Sequence, residues 1–379
     1  MYDILIQNGR VIDPKNNLDE ILDIIVHRGK IHAIGKFEIE TCHKVLNADG
    51  CIVTPGLIDF HTHIWPLAEI GIPSEIVCFS SGITSAVDAG SCGCDTFEQH
   101  MSFINTSLVE VKCFLNVSSS GLSAGENPEN INSLGFDKMK IKALFEKYPN
   151  ELLGLKIRYS KEIVKEHGLV PLSDTIKIAN EIGVPIVVHF TNSPFDVSEI
   201  LKLLRKGDVL THAFHGIGNT ILNESGKVSQ SVIEARGRGV IFDVANARFH
   251  FAFKTARAAL SEGFYPDIIS TDLTQKSLFK KPQIFNMMFL LSKYINLGLS
   301  LNDVISKCTL EPAKFMNSDH RIGCLTVGSE ADIAIIKLID RDVHFEDWEG
   351  GLLEGHKLLN NMVTIKTGKV VYMDMDFEL

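Results

Sequence analysis

The pattern that most limits the fold is an eightfold alternation of short apolar runs with amphipathic stretches through the middle of the chain. The runs Leu57–Phe60, Thr84–Val87, Val111–Asn116, Leu153–Ile157, Pro185–Val188, Val209–Thr211, Val240–Val244 and Ile268–Thr271 are rich in β-branched residues. That is the composition of parallel strands covered on both faces. Between them, Phe136–Lys147 carries apolar residues at helical spacing, and Val197–Leu204 and Val232–Arg238 do likewise. Eight such units over roughly 250 residues is the count for an α/β fold of the closed (β/α)8 TIM-barrel kind. An open doubly wound sheet is the alternative. The lack of a Gly-x-Gly-x-x-Gly after the first strand counts against it.

The two ends have a different texture. Asp3–Gln7 alternates, Asn8-Gly9 is a hairpin signal, and Arg10–Ile12 returns; Ile24–Val26, Arg28-Gly29 and Ile31–Ile34 repeat the arrangement. Late in the chain Ala331–Ile336, Met362–Lys366 and Val370–Met373 are strand-like, with Gly323, Gly328 and Gly368 as punctuation. Neither end can close a core alone. Residues 1–55 and 322–379 are therefore expected to build one composite β-sandwich beside a barrel of residues 56–321.

Composition narrows the class of function. Of 379 residues, 45% are apolar and 22% charged, which supports a large core and excludes disorder. Thirty-seven Lys and Arg against 47 Asp and Glu leave a net charge of −10. Such a chain is a poor ligand for phosphate backbones, so nucleic acid is not expected as a partner. MYDILIQNGR lacks the basic segment and long apolar run of a secretory signal. The longest apolar stretches, Pro185–Val188 and Ile333–Ile336, are strand-length, so no membrane partner is expected. The expectation is a cytoplasmic protein acting on a small molecule, with self-association into a homo-oligomer left open. Eight scattered cysteines read as reduced thiols. Cys92-Gly-Cys94 with His100 nearby is the weaker reading of a soft metal site.

The polar residues sit where the strands end. His61 and His63 follow the first strand, and a spacing of two along extended chain puts both imidazoles on one face. Lys156 lies near the end of the fourth strand, His189 ends the fifth, His212 the sixth and Asp272 the eighth. In a barrel these ends converge on one mouth. A histidine closing one buried strand can simply donate to a carbonyl, and a lone lysine can snorkel. Six such groups at five strand ends make a functional centre the better reading, because buried unpaired polar groups cost about 1–3 kcal/mol each.

The segment PGLIDFHTH, the strand-end lysine, the two later histidines and the final aspartate resemble the amidohydrolase superfamily. Leu155-Lys156-Ile157-Arg158, Gly207–His212, Gly239–Val244 and Ile269–Asp272 are similar to its branch of dihydroorotase-like and adenine-deaminase-like proteins, metallo-deacetylases and acetyl-mandelate-type esterases. The resemblance implies two divalent ions, zinc with manganese as a substitute, bridged by N6-carboxylysine at Lys156. It assigns His61, His63 and Asp272 to the more buried ion and His189 and His212 to the other. Asp272 would be the catalytic proton shuttle. The implied reaction is hydrolysis of an amide or ester in a small anionic substrate, an N-acyl amino acid or O-acyl hydroxy acid. The alternative is a cyclic amidase or a deaminase, and the rival from another class is a non-catalytic barrel.

The chain departs from that branch over the substrate. It reads Ala213-Phe214-His215-Gly216 after His212, and Ala245-Asn246-Ala247-Arg248-Phe249-His250 after the seventh strand. His215, Asn246 and His250 are thus candidates for substrate contact, the histidines weighed equally against solvated loop residues. Arg158, two residues beyond Lys156, should face the same side and clamp a carboxylate. Its other reading is a salt bridge to a neighbouring loop.

Overall fold

The computed structural model describes residues 1–38, 42–122 and 129–377. The fifteen strands it defines are β1 (Tyr2–Asp13), β2 (Leu18–His27), β3 (Lys30–Gly35), β4 (Cys42–Asn47), β5 (Ile52–Pro55), β6 (Leu57–Thr62), β7 (Ile83–Gly93), β8 (Glu110–Asn116), β9 (Leu152–Arg158), β10 (Ile186–His189), β11 (Val209–Thr211), β12 (Ile241–Asp243), β13 (Ile333–Glu346), β14 (Leu352–Lys366) and β15 (Lys369–Met373). Strands β6 to β12 lie side by side in chain order as a parallel sheet. The eighth expected run pairs with its neighbours only through single bridges, Asp243 to Ile268 on one side and Thr62 to Leu273 on the other. Those bridges curl the sheet into a near-barrel. Seven of the eight expected strands are regular, and the last stays irregular where it delivers Asp272.

Helices follow the barrel strands. The expected helix at Phe136–Lys147 runs Lys138–Lys147, with the Asp137 side chain accepting from Lys140 N at its start. It buries Ile141, Leu144 and Phe145 against the sheet, one face at helical spacing. Inside the strand ring a second cluster packs Ile58, Phe60, Val87, Phe114, Val187 and Val209. The ring is thus plugged with side chains, and ligands can enter only at its rims.

The two chain ends share one mixed sheet, ordered β15-β14-β13-β5-β1-β2-β3, with β4 paired to β1. Its core includes Ile4, Ile24, Val53, Ile333 and Val363. The Asn8-Gly9 hairpin expected from the sequence is a β-bulge instead, and β1 runs on through it. Asn8 takes φ 63°, and a Cβ on Gly9 would lie 2.4 Å from Val53 Cγ2. The pair supplies the left-handed residue and the close approach that a bulge needs as much as a hairpin does. Arg28-Gly29 does make the tight turn, with His27 facing Lys30.

The hairpin β13–β14 is longer than its apolar part implied. Its tip reaches the barrel, where Asp347 Oδ2 accepts from Phe253 N at 2.7 Å. Trp348, next along, meets Phe249 edge-on with ring centroids 4.2 Å apart. No helix of the described residues is long and apolar enough to cross a membrane.

Candidate metal centre and active-site cavity

His61 and His63 leave β6 on one face, as their spacing requires, and His189 and His212 follow from β10 and β11. His212 and Asp272 both have positive φ, 67° and 50°. A non-glycine residue in that region is strained, and such strain is held at functional sites by what surrounds it. Here Asp272 N donates to His61 O at 2.6 Å. The preceding Thr271 donates to Asp59 through both N and Oγ1. Asp59 thereby locks the eighth run against the first strand.

Three of the imidazoles are oriented from behind. His61 Nδ1 lies 3.1 Å from Thr211 Oγ1, which donates to Asp243 at 2.9 Å. His63 Nδ1 meets Ser91 Oγ at 2.9 Å. His212 Nδ1 faces Ala245 O at 2.8 Å. A carbonyl can only accept, so the His212 proton sits on Nδ1 and the Nε2 lone pair points inward. That Nε2 is 2.9 Å from His189 Nδ1.

Among the described residues two sets of ligand-competent side chains converge, His61 with His212 and Asp272, and His189 with His212 and His250. Within each set the donor atoms lie within 4.8 Å of one another. Asp272 reaches both. Its Oδ1 is 3.1 Å from His63 Nε2 and 3.8 Å from His61 Nε2, while its Oδ2 is 3.8 Å from His250 Nε2 and 3.9 Å from His212 Nδ1. This corrects the sequence expectation for the bridge. Asp272, not N6-carboxylysine at Lys156, is the carboxylate that spans the two sets. Lys156 ends in an amine 3.4 Å from His61 Nε2. Its stem runs past Gly90, where a Cβ would lie 2.7 Å from Lys156 Cγ.

The donor set suits divalent cations. Burial first, and then neighbouring cationic groups, hold His61, His189 and His212 well below the usual imidazole pKa, so their lone pairs are free. Burial also lowers His250 to about 4, against the pull of Asp272. Neutral imidazoles around one carboxylate are hard-to-borderline donors for first-row divalent ions. Burial lowers Lys156 to about 8, opposed by Asp272, Asp243 and Glu129.

A cavity of about 190 Å³ opens over these groups. Among the described residues Asp272 is the only acidic one lining it, against Lys156, Arg158, Arg248 and Lys276. Arg158 reaches the cavity as expected, but its Nη1 is held by Glu129 at 2.9 Å. Glu129, in turn, accepts from Asn116. His250 lines the cavity and also joins a ligand set. His215 and Asn246 do not line it. His215 is buried against Phe190, and Asn246 is buried with its amide turned to Ala247 O and Lys293. Cys92 and Cys94 are free, buried thiols outside both ligand sets.

The sequence profile of the amidohydrolase family matches residues 52–373. The chain belongs to the amidohydrolase family. A deacetylase from Agrobacterium fabrum is 32% identical over 327 residues, covering 85% of this chain and 79% of the relative. A solved dihydroorotase is 28% identical with a TM-score of 0.90, covering 99% of this chain and 98% of that one. A solved adenine deaminase is 26% identical, again at 0.90, covering 99% and 100%. With the paired ligand sets, this makes the amidohydrolase a binuclear metal-dependent hydrolase of a small substrate.

Several contributors carry no sequence signal of their own. Asp59, Asp243, Ser91 and Thr211 act through other side chains, and Glu129 is distant from Arg158 in sequence. Trp348 arrives from the terminal sheet. For Asp243 a clue existed, since it lies in register with Thr211, the residue before His212.

Proposed function

We propose that this amidohydrolase opens a small cyclic amide that carries a negative charge. The observation that carries the reading is the cavity lining: among the described residues, four cationic side chains and a single carboxylate, directly over two histidine-rich ligand sets. The likeness to a dihydroorotase over nearly the whole of both chains supports a ring C–N bond as the target. The order of the two readings drawn from the sequence is thereby reversed, with the cyclic amide ahead of the acyl acid. Deacylation stands second, favoured by the Agrobacterium fabrum deacetylase.

His61, His63 and Asp272 would hold one divalent ion and His189, His212 and His250 the other, with Asp272 facing both. When bound, such ions make water a stronger acid and polarise a carbonyl. The protein's own part is proton handling and placement. Among the described residues Asp272 is the sole carboxylate lining the cavity, so it takes the proton of the attacking water. It then returns that proton to the leaving nitrogen. Ring opening makes this second transfer decisive, because a nitrogen leaving without the proton would be a strongly basic anion, still tethered beside the carbonyl carbon it left. Arg158, anchored through Nη1 by Glu129, presents its remaining donors to an anionic group of the substrate. Thr211 and Asp243 hold the His61 ring at its Nδ1.

The test is a substrate panel on protein reconstituted with divalent metal. Five- and six-membered cyclic ureides bearing a carboxylate are compared with N-acetyl amino acids, O-acetyl hydroxy acids and adenine. The expected result is a kcat/KM for the cyclic class about a hundredfold above the others, a difference of about 2.7 kcal/mol in transition-state binding. Faster turnover of the acyl acids would replace this reading with the deacylase, and release of ammonia from adenine would replace it with the deaminase.

A further inference from the structure

Lys293 is buried in the helix Met287–Asn296, with only 2% of its surface exposed. Among the described residues it has no ion pair. Its Nζ donates to Asn246 Oδ1 at 3.3 Å and lies 4.4 Å from the centre of the Phe251 ring. Burial lowers its pKa to about 7, with Asp347 pulling the other way. A lysine buried without a carboxylate is costly to a fold and marks a place where something else is gained.

What it touches is the back of a strained turn. Asn246 is flanked by Ala245 at φ 34° and Ala247 at φ 38°. Two alanines in the left-handed region persist only where their surroundings over-determine them. Asn246 is pinned on three sides. Its N donates to Ser270 O at 3.1 Å, its Nδ2 donates to Ala247 O at 3.0 Å, and its Oδ1 accepts from Lys293. The same turn supplies Ala245 O to His212 and brings the His250 ring to 4.0 Å from that of His212. Ala247, Arg248 and Phe249 then line the cavity.

We propose that Lys293 is a positioning residue which, through Asn246, holds the 245–250 turn in the strained form that aims His212 and His250 at the second ligand set. It touches no substrate and no reacting atom. The inference rests on the metal-centre assignment above and is independent of whether the substrate is a cyclic amide or an acyl acid.

The test compares wild type, Lys293→Met, Asn246→Ala and the double variant. Zn²⁺ affinity is measured by competition with a chromophoric chelator, together with Tm, kcat and KM. Methionine keeps the length and removes the charge. Lys293→Met should keep or raise Tm while weakening the looser Zn²⁺ site and kcat each about 10- to 100-fold, the usual effect of losing a group behind a ligand. KM should stay within about threefold. Asn246→Ala should repeat the metal and kcat losses, and the double variant should be no worse than either single one, since both act through one bond. A Lys293→Met protein that binds Zn²⁺ and turns over like wild type overturns the inference, as does one whose Tm and activity fall together or one that fails to fold. Additive losses in the double variant also overturn it. Wild-type protein that takes up no Zn²⁺ overturns the metal centre itself, which separates the two failures.

Discussion

Replacing Asp272 by asparagine tests the centre at its most connected atom pair. The change keeps the shape of the side chain and removes its charge and half of its acceptor capacity. In the structure each carboxylate oxygen faces a different pair of histidines, with four imidazole nitrogens 3.1–3.9 Å away. An amide nitrogen in either position can neither hold a cation nor take a proton. Loss of a general acid–base group typically costs about 10²–10⁴-fold, which is about 3–5 kcal/mol in the barrier. Loss of the one anion shared by both ligand sets should also lower metal content from about two equivalents toward one. The fold should survive, because the backbone bonds of Asp272 to His61 and of Thr271 to Asp59 are untouched. Steady-state kinetics, elemental analysis and a thermal melt on the same preparation decide the matter. A variant that keeps two equivalents of metal and turns over within about fivefold of wild type would refute both the bridging and the proton-transfer roles.

Two further outcomes follow from single contacts. Arg158→Met combined with Glu129→Gln, so that no buried carboxylate is stranded, should lower kcat/KM for anionic substrates about 10- to 100-fold and leave neutral analogues nearly unchanged; equal losses on both would make Arg158 a structural partner of Glu129. Gly90→Ala should cost about 1–3 kcal/mol by chemical denaturation, since Gly90 has φ 88° and its new methyl would meet the Lys156 stem, and an unchanged midpoint would show that the stem moves freely.

Much of the barrel and most of the centre could be read from the chain because both rest on short-range regularities. Period-two spacing alone puts His61 and His63 on one face, and strand ends alone bring His189, His212 and Asp272 to one mouth. His250 was legible only as a nearby histidine. It reaches the centre through a turn with two left-handed alanines, a conformation that no local pattern announces. The bridge was misjudged for a related reason. Lys156 does face inward, but which anion spans the ligands depends on where the irregular eighth run sets Asp272. Asn8-Gly9 shows that one dipeptide serves a bulge or a turn, and the choice is made by β4 and β5, which pair with successive halves of β1. In the outer half of the β13–β14 hairpin, apolar residues such as Val343 and the buried Phe345 are interrupted by exposed Asp340, Arg341 and Asp342, so neither its length nor the placing of Trp348 had a continuous apolar signature.

The seam between β5 and β13 joins Ile52 to Ile336 across most of the polypeptide. During synthesis at about 5–20 residues per second, the N-terminal strands would leave the ribosome roughly 15–60 s before the neighbour that completes their sheet. Through that interval β5 presents an open edge rich in apolar side chains, the kind of surface that recruits other chains. The barrel strands β6 to β12 pair in order as they emerge, and only the closure of the first on the eighth run, at Thr62 and Leu273, comes late. Closing this seam therefore belongs to the last stage of maturation, and the nascent N-terminal strands are the part of the molecule with the greatest need of a chaperone's cover.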